Sequence, residues 1–237
     1  MTLYNRTMKR FLPIFGIVLF IVFFAAITAL SHQKDSDAQT PRNSVAENTD
    51  ERTSTPANTR CVGSLTTATT EGPYYVKNTK ALIDGKLNYD NLPGATIKIT
   101  GYVYQGSDNS TPLSNAYVDV WQADGNGKYW PAGNKDATTY TDKDLSLRGG
   151  VFADDNGYYE LTTIYPGEYE GRARHIHFRV SSNDGSKSVT TQLIMSKPGD
   201  QTPASQDLVA KNLPACNTAQ FDSANDEIPT TEFNFHL

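Results

Sequence analysis

The chain has 237 residues with a formal net charge of −5, and it contains only four histidines and two cysteines. That length accommodates one domain of ordinary size plus appendages. The acidic balance, with no basic cluster beyond the N-terminal flank, gives no electrostatic reason to bind nucleic acid and sets that class aside.

Residues 1–10 carry Arg6, Lys9 and Arg10 and precede "FLPIFGIVLFIVFFAAITAL", an uncharged run over 11–30. At about 1.5 Å per residue such a run crosses a hydrocarbon core of about 30 Å. The basic flank predicts a cytoplasmic N-terminus and an extracytoplasmic remainder. A cleaved signal has an apolar stretch of about 7 to 15 residues, so the length favours a retained transmembrane anchor over a long signal peptide. If the stretch is cleaved, the protein is secreted. Residues 31–60 have almost no large apolar side chain and predict a disordered stalk. The folded domain is then 61–237. Cys61 and Cys216 stand near its two ends, and in an oxidising compartment they are expected to form a disulfide rather than remain two inert thiols.

Within the domain, "TIKITGYVY" (96–104), "AYVDVWQA" (116–123), "GYYELTTI" (157–164), "HIHFRVSS" (175–182) and "VTTQLIM" (189–195) alternate with period two and are rich in β-branched and aromatic residues. Turn chemistry such as "DGNGK", "DDNG" and "SNDGSK" separates them, and no long helical period competes. The pattern predicts an all-β domain, an antiparallel β-sandwich, with Val118, Val120, Leu161, Ile164, Ile176, Phe178 and Leu193 in its core.

Two of the four histidines fall in one strand, "GRARHIHFRV", while His32 lies in the stalk and His236 at the C-terminus. Residues i and i+2 of a strand share a face, so His175 and His177 project together, about 7 Å apart at the backbone, while Ile176 and Phe178 enter the core. Such a pair is either two half-exposed surface histidines or part of a metal site. A cupin needs a glutamate a few residues on and a third histidine later in the domain, and "FRVSSNDGS" followed by no internal histidine supplies neither. Tyr129, ending "DGNGKY", and Tyr169, six residues before His175, lie on expected loops from which a side chain can be aimed at a neighbouring strand. A phenolate is a hard anionic donor suited to Fe(III), whereas two imidazoles alone suit a divalent ion.

"VDVWQADGNGKY", "LRGGVFADDNGYYELTTIYPGEYEGRARHIHFRV" and "TTQLIM" together resemble the intradiol ring-cleavage dioxygenases, the protocatechuate and catechol dioxygenase superfamily, especially its secreted single-domain members, over about residues 61–200. The resemblance implies a non-haem Fe(III) held by Tyr129, Tyr169, His175 and His177. It implies that Tyr169 is the axial phenolate that leaves when substrate arrives and accepts its proton, and that Tyr129 stays. Arg172 matches the family's arginine beside the substrate ring, Gln192 a polar residue of the same pocket, and Tyr74 of "TTEGPYY" a substrate contact. The implied reaction is cleavage of a catechol by dioxygen to a cis,cis-muconate type diacid. The gap from Tyr169 to His175 is shorter than in the protocatechuate enzymes, and Arg174 stands just before the first histidine; both departures bear on which catechol is taken. Arg148 and Arg174 are read as solvated or structural charges. The rival reading is a non-catalytic surface β-sandwich for binding or adhesion, since "SNAYVDVWQADGNGKY" and "DDNGYYELTTIYPGEY" also resemble prealbumin-like modules. The two readings part on whether Tyr129 and Tyr169 converge on the histidine pair.

Overall fold

Period-two alternation becomes eight strands in the computed structural model, which describes residues 62–130, 135–222 and 228–237. The expectations for 1–10, 11–30, 31–60 and Cys61 lie outside the described residues. Cys216 is disulfide-bonded. Among the described residues no helix is long and apolar enough to cross a membrane.

The strands are β1 (Thr96–Tyr104), β2 (Tyr117–Gln122), β3 (Arg148–Phe152), β4 (Tyr158–Ile164), β5 (His175–Ser181), β6 (Ser188–Ile194), β7 (Thr230–Glu232) and β8 (Phe235–His236). They form two sheets. One runs β4-β1-β7 with β8 also on β1, and the other runs β3-β2-β5-β6. Their facing sides interdigitate: Ile97, Ile99 and Val103 of β1 and Leu161 of β4 meet Val118 and Val120 of β2, Ile176, Phe178 and Val180 of β5, and Leu193 of β6. All seven predicted core residues are buried. Burying each such side chain contributes roughly 1.5–3 kcal/mol, which makes the alternation of these strands the main determinant of the layer.

Two features depart from the antiparallel sandwich read in the sequence. β7 and β8 pair with β1 in parallel, Ile99 opposite Thr231 and Val103 opposite Phe235. A parallel pair needs a long connection rather than a hairpin, and the chain supplies one in the excursion after β6. The second is β3, whose "RGGVF" lacks alternation. Gly150 gives room to the tip of the Tyr117 ring, since a Cβ there would come within 2.6 Å of the Tyr117 Oη.

β5 is the strand that positions the site. Its inner side chains enter the core, and its outer ones, His175 and His177, are also buried, at 2% and 1% exposure. The outer cover comes from residues 69–75 and from the loops that follow β2 and β4.

Candidate metal centre

Across the outer face of the second sheet, register sets Trp121 of β2 opposite His177 of β5, and His177 opposite Gln192 of β6. The three form one row. The indole of Trp121 stacks on the His177 imidazole at 4.8 Å between centroids and 12° between planes. Gly72 passes over the same ring, where a Cβ would lie 3.7 Å from its Cε1. These contacts pack against the His177 ring.

His175 is oriented through its other nitrogen. Its Nδ1–H donates to the Ala173 carbonyl at 2.6 Å, so the Nε2 lone pair is the free one. That Nε2 lies 3.1 Å from His177 Nε2 and 3.3 Å from the Tyr169 hydroxyl.

The two tyrosines reach this point from separate loops that touch through glycine. Asp124 shapes the turn after β2, its Oδ1 accepting from the backbone N–H of Asn126 and Lys128. The Asp124 carbonyl accepts from Gly167 N–H at 2.8 Å, tying this turn to the loop after β4. Neither side of the junction has room for a side chain: a Cβ on Gly127 would meet the Glu168 carbonyl at 2.0 Å, and one on Gly167 would meet Gly127 N at 2.2 Å. Beyond the junction, Tyr169 and Arg172 end a tight turn whose central residues Glu170 and Gly171 have φ of 47° and 71°. Positive φ at both centres is what a type I′ turn requires. The Arg172 N–H closes it onto the Tyr169 carbonyl at 2.8 Å, so the phenol and the guanidinium leave the same turn.

Tyr129 and Tyr169 meet edge to face at 5.1 Å. Tyr74 stacks on Tyr129 at 4.2 Å, packs edgewise on Tyr169, and donates its hydroxyl to Glu170. Arg148 is structural, the second of the two roles read for it from sequence: it is buried, donates to the Tyr74 carbonyl, and its guanidinium lies 5.7 Å from the Tyr129 ring centre. Arg174 is structural as expected, paired with Asp200 and donating to the Pro166 carbonyl. Arg172 donates through Nε to Asp207 and through its second terminal nitrogen to Gln192 Oε1 at 2.9 Å.

Burial dominates the electrostatics. It pushes the Tyr129 phenol well above its usual value and raises Tyr169, against the pull of Arg172. It pushes His175 down to about 4, with Arg172 acting in the same direction, and His177 well below the ordinary range. Four neutral donors are therefore held together, three of them buried and Tyr169 half-buried. Three buried polar atoms here lack a hydrogen-bond partner, Trp121 Nε1, His177 Nδ1 and Gln192 Nε2, and the Tyr129 hydroxyl meets that of Tyr169. Buried polar atoms are normally satisfied, so such a concentration marks a place built for something else.

Every residue singled out from sequence for this site is brought to it, whereas His236 is not; it lies in β8 against Asn109. Sequence reasoning missed Trp121, Arg148 and Asp207. Trp121 had a signal, since it alternates with the predicted core residues Val118 and Val120 and so belongs to the opposite face of β2. Asp207 had none, since it lies in a segment without periodicity.

The sequence signature of the family described as Dioxygenase matches residues 70–237. The chain belongs to the intradiol ring-cleavage dioxygenases. This dioxygenase is 28% identical to the catechol 1,2-dioxygenase of Acinetobacter baylyi over 155 residues, 56% of its own length and 47% of that protein's. It is 31% identical over 115 residues to the protocatechuate 3,4-dioxygenase beta chain of Burkholderia cepacia, covering 45% and 46% of the two chains. The dioxygenase thus spans about half the length of the curated relatives it matches. Among solved structures, it superposes on the dioxygenase domain of a dioxygenase and carbohydrate-binding protein fusion from Streptomyces sp. SirexAA-E with a TM-score of 0.58 and 28% identity, covering 73% of this chain and 98% of that one. An intradiol ring-cleavage dioxygenase from Tetranychus urticae, 20% identical with a TM-score of 0.59 over 73% and 94% of the two chains, shares the fold.

Proposed function

We propose that this domain cleaves a catechol between its two hydroxyl-bearing carbons, both atoms of dioxygen entering a cis,cis-muconate type diacid, with a non-haem ferric ion held by Tyr129, Tyr169, His175 and His177. The observation that carries the reading is the convergence of two phenols, Tyr129 buried and Tyr169 half-buried, on the His175–His177 pair. A module that only binds or adheres has no use for two buried histidines and two tyrosines whose polar ends are turned toward one another. Among the described residues no three His, Cys, Asp or Glu side chains come together, so an ion at the histidine pair takes its other ligands from a different residue type. Two ionisable phenols and two neutral imidazoles suit a hard trivalent ion.

When bound, the ferric ion supplies a Lewis acid that draws catechol hydroxyls toward ionisation and an electron-accepting centre that opens the ring to dioxygen. The remaining work falls to side chains of this chain. Tyr169, as phenolate, accepts the proton of a catechol hydroxyl at its Oη. Tyr129 stays, because Tyr74 stacks on one face of its ring and Tyr169 abuts it edge-on. Arg172 turns a guanidinium edge to the site and stabilises negative charge that develops on the ring carbon as oxygen adds. Gln192 holds that edge through Oε1 and keeps its Nε2–H for the substrate. Trp121, Tyr74 and Tyr129 exclude water from this side. Arg174, beside the first histidine, is committed to Asp200 and does not reach the ring.

We further propose that the domain lies outside the cytoplasm, held by residues 11–30 or released if that stretch is cleaved. The basic residues ahead of the apolar run and the disulfide at Cys216 support this. Protease added to intact cells should digest the domain if it is anchored outside.

The deciding test is the visible spectrum of the iron-supplied protein before and after anaerobic catechol. A broad tyrosinate-to-iron band that moves to longer wavelength with catechol is expected. A protein that stays colourless after iron loading ends this reading.

A further inference from the structure

Asp207 belongs to none of the strands and touches none of the four donors, yet its side chain is fully enclosed, at 0% exposure. Its two oxygens accept four hydrogen bonds. Oδ1 takes the backbone N–H of Val209 at 2.7 Å and of Ala210 at 2.9 Å, which fasten the carboxylate in its own loop. Oδ2 takes the Arg172 Nε–H at 2.8 Å and the Ala173 backbone N–H at 2.7 Å, which cross to the turn ahead of β5. Burial pushes this carboxyl up, but the hydrogen bonds outweigh it and the acid stays below its ordinary range. An ionised carboxylate with all four acceptor positions filled has a single possible orientation.

The consequence is carried by Arg172. A guanidinium held at Nε from behind, by a group itself held at four points, cannot rotate about its last torsions. Its terminal nitrogen is thereby delivered to Gln192 Oε1. Paired with Asp207, Arg172 brings little net charge to the pocket. Its effect on developing charge then depends on direction and distance, and both are dictated by the carboxylate. We propose that Asp207 is the positioning residue of the reaction, acting through Arg172. This rests on the dioxygenase reading above.

The test is a double-mutant cycle of Asp207→Asn and Arg172→Gln, with kcat, KM, iron content and the tyrosinate band recorded for each protein. Asp207→Asn should lower kcat by about 10- to 100-fold, the usual cost of a partner that orients a reacting group, with KM, iron content and band little changed. In the Arg172→Gln background the same change should cost almost nothing further. A full, undiminished loss in that background, or an unchanged kcat, overturns the proposal. Should Asp207→Asn fail to fold, Asp207→Glu takes its place under the same criteria, since it keeps the charge but moves it by a methylene. If the parent protein binds no iron and cleaves no catechol, the functional reading has failed. Positioning is then decided by hydrogen exchange at Arg172 Nε–H, slow in the parent and fast in the variant if Asp207 holds it, and equal in both if it does not.

Discussion

The outer face of the β3-β2-β5-β6 sheet carries two polar clusters on the same strands, built on opposite terms. At the His175 and His177 end, buried polar atoms lack partners. Two residues further along each strand, at Asp119 of β2 and Arg179 of β5, every charge is answered. Asp119 accepts from Thr79 at 3.1 Å and from the Tyr75 hydroxyl at 3.2 Å, and Arg179 donates to Glu71 at 2.5 Å. The second cluster is the denser in charge and by composition the more conspicuous, yet it closes on itself and fastens residues 71–79 to the sheet. The first is nearly uncharged and left open. Unmet hydrogen-bonding capacity inside a protein, rather than charge, is what distinguishes a place for a ligand from a structural tie.

The sharpest way to break this contrast is His177→Ala. Iron content should fall to background and the visible band should vanish, while circular dichroism reports an intact sandwich, because the core side of β5 is untouched; retention of stoichiometric iron would remove His177 from the site. Next comes Arg172→Gln, for which turnover should fall by about 10²- to 10³-fold, the cost of losing one oriented donor to developing charge, with the band unchanged. A steady-state assay that finds KM alone altered would assign Arg172 to binding instead.

At the closed cluster the effects are on stability. Burial raises Asp119 to about 6 against an ordinary 3.8, even though the Thr79 and Tyr75 hydrogen bonds pull it down. As pH rises through the lower value the unfolded chain releases this proton and the folded one keeps it, so stability declines until the folded group also ionises. Relative to Asp119→Asn, which has no such proton, the parent should lose on the order of 3 kcal/mol between about pH 4 and about pH 7. Urea denaturation at both pH values measures this, and a pH-independent difference would show that Asp119 is ionised throughout. The smallest effect belongs to Glu71→Gln. Its pair with Arg179 has 39% of each side chain exposed, and an ion pair so open to solvent contributes about 0–1 kcal/mol, less in high salt.

Much of the molecule was legible before any coordinates. Alternation determined β1, β2, β4, β5 and β6 to within one residue at each end, and the same period put His175 and His177 on one face and Ile176 and Phe178 in the core. A pleat is a property of a few adjacent residues, so a short stretch of sequence carries it whole. Tertiary structure alone decided the rest. It set Trp121, His177 and Gln192 in one row, pressed Gly127 against Glu168 so that two loops could share a centre, buried Arg148 under Tyr129, and brought Asp207 to Arg172 from 35 residues away. It also laid β7 and β8 parallel to β1. Each of these depends on how separate segments close around a common core, and local periodicity carries no record of which distant segment fills a given space.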